Sequence, residues 1–353
     1  HLVMMFLGLE IGSISLYVLA GFSQQEARSE EAAIKYFLLG SFASAVFIYG
    51  VALLFAGTGS LHLFEQRLFL DSNLVLRPAV LLIGLALAIV GLAFKVTAAP
   101  FHGWAPDVYQ GAPAGVVGFM AAAAKIGGFA ALARLLYTAF SGYSEVWALV
   151  VAGVAVLSML VGSFLAVVQD DLRRLLAYSG VAHAGFILTG LVAGRDASDD
   201  VWFYLAVYTV QLVGAYAVVA AISGPGSAGS ALTSYAGLGR RQPLLALALT
   251  VLLLGMAGIP LTSGFIAKFG IFQEAWRAGF GWLVVVALLA SVVSFFIYLR
   301  VIVGMYMSDS IGELEPRVGR PLRAVLVVAM AVTLFFGLFP APLLRLAADA
   351  LPL

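Results

Sequence analysis

Residues 94–125, FKVTAAPFHGWAPDVYQGAPAGVVGFMAAAAK, set Lys95 and Lys125 on either side of a proline-punctuated turn in sequence otherwise suited to lipid. A lysine at the centre of a bilayer costs about 2.5–3.5 kcal/mol on insertion scales. Pro100 lacks an N–H and crowds the carbonyl of Val96 four residues back, so a helix entering at Phe94 breaks there. Non-helical backbone at membrane depth is tolerated only where it is buried in protein or lines a wet cavity. The stretch therefore predicts a discontinuous transmembrane helix with ionisable groups beside its break.

Composition points the same way. Apolar residues make up 63% of the 353-residue chain and charged residues 10%, with a mean hydropathy of +1.06. Soluble domains carry about a quarter charged residues, so the expectation is an all-α polytopic membrane protein. A net charge of +1 and the lack of any basic run exclude nucleic acid as a partner. With no cysteine, disulfides, thiolate metal sites and protein-ligated iron–sulfur clusters are excluded. The chain opens at His1, directly into an apolar segment with no signal-peptide pattern, and is expected to be incomplete at its N-terminus.

Counting apolar runs of about 20 residues predicts ten spans: 1–20, 33–57, 77–99, 112–139, 145–168, 173–193, 201–222, 243–273, 280–306 and 322–346. The loop after the first span shares a side with Arg173, Arg174, Arg240, Arg241, Arg317, Arg320 and Arg323. Arg67, Arg77, Arg195, Arg277 and Arg345 fall opposite. The positive-inside rule makes the first set cytoplasmic. Residues 57–76 read as an interfacial helix or a short strand pair. The G-x-G-x-x-G match at 224–229 follows a span rather than a strand, contains Pro225 and leads to no ribose-binding acid, so it reads as a flexible linker.

All fifteen arginines sit in loops or near span ends, whereas three of the four lysines, Lys95, Lys125 and Lys268, lie within spans. Arginine keeps its proton in a protein; a desolvated lysine can release one. Glu10, midway along the first span, is either satisfied by Ser13 or Ser15 or paired with a buried lysine, for which Lys95 is the candidate. Lys95 is either a snorkelling helix-end lysine or a proton site beside a cavity. Lys125 lies deep among alanines and glycines, where snorkelling is hard and a relay role fits. His183 is either a hydrogen-bonded core residue or a titratable link between lysines. Lys268 follows a second break, Gly258-Ile-Pro260-Leu-Thr-Ser-Gly264, where Thr262 and Ser263 are placed to satisfy freed backbone groups. Two spans with the same break-plus-lysine pattern point to an inverted-repeat transporter. His102 and Asp107 are either turn residues or guards of the first break, and Lys35 reads as an interfacial anchor. No P-loop, zinc motif or hydrolase nucleophile is present, so any pumping is expected to be driven by a partner or by another ion gradient.

The segments GLEIGSISLYVLAGF, EAAIKYFLLGSFASA, FK followed by PFHGWAPDVYQGAPA, AAAAKIGGF, YSGVAHAGF and GIPLTSGFIAKF together resemble the subunit N family of bacterial proton-pumping NADH:quinone oxidoreductase, complex I. That resemblance covers nearly the whole chain, DVYQGAPA and KYFLLGSF being its specific parts, and implies an antiporter-like fold with two inverted repeats and two discontinuous helices. Residues 1–139 would be most of repeat one without its first helix, 145–306 repeat two, and 322–346 a C-terminal helix, the ten spans being the family's fifth to fourteenth. It implies proton translocation through the pair Glu10 and Lys95, the central relay Lys125, the bridging His183 and the terminal Lys268, in the bacterial inner membrane. It implies no cofactor in this chain, with NADH, FMN, iron–sulfur clusters and quinone in partner subunits, and the antiporter-like subunit M, subunit K and membrane lipid as neighbours. The alternatives are a subunit of a multi-subunit Na+/H+ antiporter, which shares the lysine and glutamate pattern, and a structural membrane scaffold in which these polar groups only tie helices together.

Overall fold

The break expected at Pro100 is present in the computed structural model, which describes residues 1–23, 26–72, 78–223, 229–309 and 318–350. These residues form α1 (Leu2–Ala20), α2 (Ala27–Thr58), α3 (Leu63–Ser72), α4 (Pro78–Lys95), α5 (Ala105–Gly111), α6 (Ala114–Arg134), α7 (Ser144–Val167) and α8 (Leu172–Val192). The chain continues through α9 (Ser198–Ile222), the single turn α10 (Leu238–Arg241), α11 (Pro243–Ala257), α12 (Ser263–Arg277), α13 (Gly281–Met307), α14 (Arg320–Leu338) and α15 (Ala341–Asp349). Among the described residues there is no strand, and nine helices are long and apolar enough to cross a membrane. The chain is an all-α, multi-pass membrane protein.

The eighth expected span, 243–273, is two shorter helices, because α11 stops at Ala257 and α12 starts at Ser263. Gly258 turns the chain with φ of +83°, a left-handed conformation that glycine adopts without steric cost. Three details differ from the sequence reading. The second span starts at Ala27 rather than 33, so its charged first turns are helical too. Residues 63–72 form a helix, and no strand pair exists among the described residues of 57–76. The run 322–346 is interrupted at Phe339 and Pro340, where the missing proline N–H ends α14 before α15 begins. The linker expected at 224–229 lies, but for Gly229, outside the described residues.

The core is organised around α8, which packs along α7 and against α5, α9, α12 and α13. Every residue from Ser179 to Val192 is buried, including Gly180, Ala182, Ala184, Gly185 and Gly190. Small residues on all faces let neighbouring helices approach closely, the usual basis of association inside a membrane. By contrast α14 buries only Leu326, Ala329 and Thr333 and lies at the periphery. His183 is thus carried by the most enclosed helix of the bundle.

Candidate functional site: a line of buried lysines

Helices α1, α2 and α4 bring Glu10 and Lys95 together, with Lys95 Nζ 2.7 Å from Glu10 Oε1 and their side chains 8% and 17% exposed. The pairing expected from sequence is therefore formed. Lys95 Nζ also donates to Ser13 Oγ at 2.8 Å, and Ser44 Oγ of α2 lies 2.5 Å from Glu10 Oε1. Ser15 donates instead to the carbonyl of Ile11. Such hydrogen bonds are what a buried ion pair needs, since Coulomb attraction alone does not offset desolvation.

Lys125, in the middle of α6, is 1% exposed. Its Nζ donates to the carbonyls of Val96 and Gly180, both at 2.9 Å, and to Thr97 Oγ1. The Val96 carbonyl is the group that a continuous helix would pair with the N–H of residue 100. Because that residue is proline, the carbonyl is free and the ammonium takes it. Thr97 stands at φ of +61°, unusual for a β-branched residue, and presents its hydroxyl to the same lysine. Among the described residues no carboxylate pairs with Lys125.

His183 lies three residues beyond Gly180 on α8 and is 2% exposed. Its Nδ1 is 2.9 Å from Tyr204 Oη of α9, and its Nε2 3.1 Å from Tyr298 Oη of α13. The Tyr298 hydroxyl also meets Ser179 Oγ, and the Tyr208 ring stacks on the imidazole with centroids 4.2 Å apart. A phenol both donates and accepts, so either imidazole tautomer finds partners on both sides. The plain reading of a hydrogen-bonded core histidine and the relay reading share this geometry.

Lys268, on α12, is 6% exposed and donates to the carbonyl of Ala257 at 2.9 Å, the last residue before the second break. Ser291 Oγ is 3.5 Å away, and the ammonium lies 4.6 Å from the centroid of the Phe186 ring, within cation–π range. At this break Thr262 Oγ1 donates to Ile259 O at 2.7 Å, as expected, while Ser263 Oγ accepts from Gln211 of α9 at 3.2 Å.

Of the five candidates only Glu10 and Lys95 touch. Lys125 joins the group through Val96, the residue after Lys95, and reaches toward His183 through the Gly180 carbonyl, on the same helix as the histidine. Phe186 stands between His183 and Lys268, in edge contact with the imidazole. Ser44, Thr97, Tyr204, Tyr298 and Ser291 complete the arrangement and were not singled out from sequence. Asp107 does not reach the lysines of the line; its carboxylate bridges Lys35 at 2.8 Å and Arg174 at 2.7 Å and so ties α5 to α2 and α8. Lys35, pairing also with Glu31 at 2.7 Å, is part of that clamp. The His102 ring lies against Tyr178, its centroid 6.2 Å away, and its Nδ1 is buried without a hydrogen-bond partner among the described residues. Arg300, within α13, donates to the carbonyls of Val167 and Gln169 at the end of α7, at 2.7 and 2.5 Å, a favourable place for a cation.

Buried lysines at proline-broken membrane helices, one paired with a glutamate and two on carbonyls that the breaks free, define an antiporter-like, ion-translocating class of membrane subunit. The chain belongs to the NADH:quinone oxidoreductase/Mrp antiporter transmembrane family, whose model matches residues 1–294. It is 42% identical over 349 residues to the NADH-quinone oxidoreductase subunit N of Chloroflexus aggregans, covering 98% of this chain and 71% of that one. It is 43% identical to the subunit N of Trichlorobacter lovleyi, covering 100% of this chain and 73% of the relative. A chain of respiratory complex I from Thermus thermophilus superposes with a TM-score of 0.85 at 39% identity, covering 98% of this chain and 75% of that one. A chain of the Mrp complex from Dietzia sp. DQ12-45-1b shares the fold, with a TM-score of 0.84 at 22% identity over 97% of this chain and 72% of that one. The family resemblance read from the motifs is borne out.

Proposed function

We propose that the chain is a proton-translocating subunit in the membrane arm of an NADH:quinone oxidoreductase of the bacterial inner membrane, moving a proton along Glu10, Lys95, Lys125, His183 and Lys268. The observation that carries this reading is that Lys125 and Lys268, almost wholly buried, rest on backbone carbonyls at breaks and pair with no carboxylate of the described residues. Lysines kept only for cohesion would be expected beside counter-charges. While Glu10 and Lys95 are paired, the charge of Lys95 is compensated and Lys125 can hold a proton. When the pair opens, the uncompensated charge beside Lys125 drives that proton toward His183 and Lys268. Residues 1–139 and 145–306 would form the two inverted repeats, with 322–346, bent at Pro340, flanking them. Redox chemistry with NADH, FMN, iron–sulfur clusters and quinone belongs to partner subunits, an antiporter-like subunit M and a subunit K among the neighbours.

Lys125→Met in the assembled complex tests the reading. Proton pumping and coupled turnover are expected to fall at least tenfold, about 1.4 kcal/mol of activation free energy, with assembly retained. Unchanged pumping in a fully assembled variant overturns the role. The family also contains Mrp antiporters. Sodium–proton exchange by vesicles without NADH would favour that function, whereas the higher identity to oxidoreductase subunits, 42–43% against 22% for the Mrp chain, favours the first.

A further inference from the structure

Two grooves of equal size flank α14 and differ in what stands at their rims. One, of about 390 Å³ against α6 and α9, is lined by Ala122, Thr209, Val213, Val325 and Val328 among others, with no charged residue. The other, also about 390 Å³, lies against α11 and runs past Leu245, Leu326 and Met330, with Gln242 and Arg323 at its rim. Both volumes lie in the range of ligand-binding clefts, roughly 300–1,000 Å³.

Arg320 is one helical turn before Arg323, so the two exposed guanidinium side chains share a face of α14. Among the described residues neither is paired with a carboxylate, whereas Arg240, just before α11, pairs with Asp309 at 3.4 Å. Inside a bilayer the apolar lining alone gives no preference, because lipid tails are as apolar as leucine. The charged rim does. Arginine matches a phosphate with two parallel hydrogen bonds, and each cation near the membrane surface favours an anionic headgroup about fivefold, so two give on the order of 30-fold.

We propose that the groove between α11 and α14 is a binding site for an anionic phospholipid, its phosphate held by Arg323 with Arg320 beside it and one acyl chain lying along Leu245, Leu326 and Met330. The site is independent of the proton path. The groove against α6 and α9 is its internal control, with the same volume and helix but no cation.

The test uses the chain in its native membrane assembly, supplied with phosphatidylglycerol carrying a photoactivatable group in an acyl chain, and maps the cross-links by mass spectrometry. Residues 244–248 together with Leu326, Val327 and Met330 are expected to be labelled on the order of 30-fold more by this probe than by the matching phosphatidylcholine. In the α6–α9 groove the two probes should label alike. The double variant Arg320→Gln/Arg323→Gln should bring the ratio in the α11–α14 groove close to one, and Arg323→Lys should keep most of it. Equal labelling by both probes in the unaltered protein overturns the proposal, as does an unchanged ratio in the double variant. Absence of labelling by either probe, which would mean a neighbouring protein covers the groove, also overturns it. Displacement of the lipid by millimolar inorganic phosphate would show a free-anion site instead.

Discussion

The two broken helices solve the same problem with different completeness. At the first break, Lys125 reaches across from α6 and meets two carbonyls and a hydroxyl, while Lys95 at the same break is compensated by Glu10. At the second, Lys268 belongs to the helix that restarts after the break and has one carbonyl at 2.9 Å, a serine at 3.5 Å and an aromatic face. A buried ammonium has three donors to satisfy. The first region satisfies them with protein atoms; the second leaves its lysine less completely coordinated. An ammonium with fewer fixed acceptors is held less firmly, which suits the group proposed to release the proton.

The backbones differ in the opposite sense, the second break being the more closely packed, and the largest expected effect lies there. A Cβ on Gly264 would stand 1.8 Å from the carbonyl oxygen of Gly255, across the second break, whereas one on Gly103 in the first would meet nothing within 4 Å. Overpacking against side chains costs about 1–3 kcal/mol, and a collision with backbone belongs at or above the top of that range. Gly264→Ala should sharply reduce the amount of chain in the assembled complex, while Gly103→Ala should leave abundance and thermal midpoint unchanged. Equal tolerance of both would break the contrast.

Next comes the ion pair found only at the first break. Glu10→Gln preserves shape and a hydrogen-bonding oxygen for Ser44 but leaves the charge of Lys95 without its partner, an effect of about 3–5 kcal/mol where buried pairs are broken this way. The thermal midpoint of the complex and the protons pumped per NADH should both fall. Adding Lys95→Met should recover most of the stability and none of the pumping, separating cohesion from transfer. Recovery of both would favour the scaffold reading.

Both breaks were legible because proline and glycine act through the backbone: Pro100 identified the Val96 carbonyl as freed, and Pro260 with Gly258 marked the second interruption. Glu10 and Lys95 were legible as a pair because each is costly alone in lipid. The partners of the other groups were not. Carbonyls such as that of Gly180 carry no sequence signal, and Thr97 reads as an ordinary turn residue until its φ of +61° is seen. Tyr204 and Tyr298 look like filling in apolar helices, since which face of α9 or α13 meets His183 depends on packing between helices 21 and 115 residues apart in the chain. Asp107, on sequence either a turn residue or a guard of the break, is a clamp because both its oxygens are taken by Lys35 and Arg174. The end of the last span was readable at Pro340, but the strongly apolar run on either side concealed it.

The smallest effects test the acceptor count itself. Thr97→Val removes a hydroxyl that accepts from Lys125, and hydrogen bonds to charged groups contribute about 1.5–3 kcal/mol. Ser291→Ala removes a contact to Lys268 at 3.5 Å, the outer limit of hydrogen bonding, and should change little. Pumping rates should therefore fall about tenfold or more in Thr97→Val, since 1.4 kcal/mol is a factor of ten, and stay within about twofold in Ser291→Ala. Thr97→Ser keeps the hydroxyl and controls for the strained backbone, which valine tolerates no better than threonine. If Ser291→Ala proves the more harmful, the long contact at the second break carries more than its geometry allows, and the ranking of the two lysines by their fixed acceptors is wrong. If Thr97→Val and Thr97→Ser are equally impaired, the first break depends on the shape of residue 97 and not on the hydroxyl it gives to Lys125.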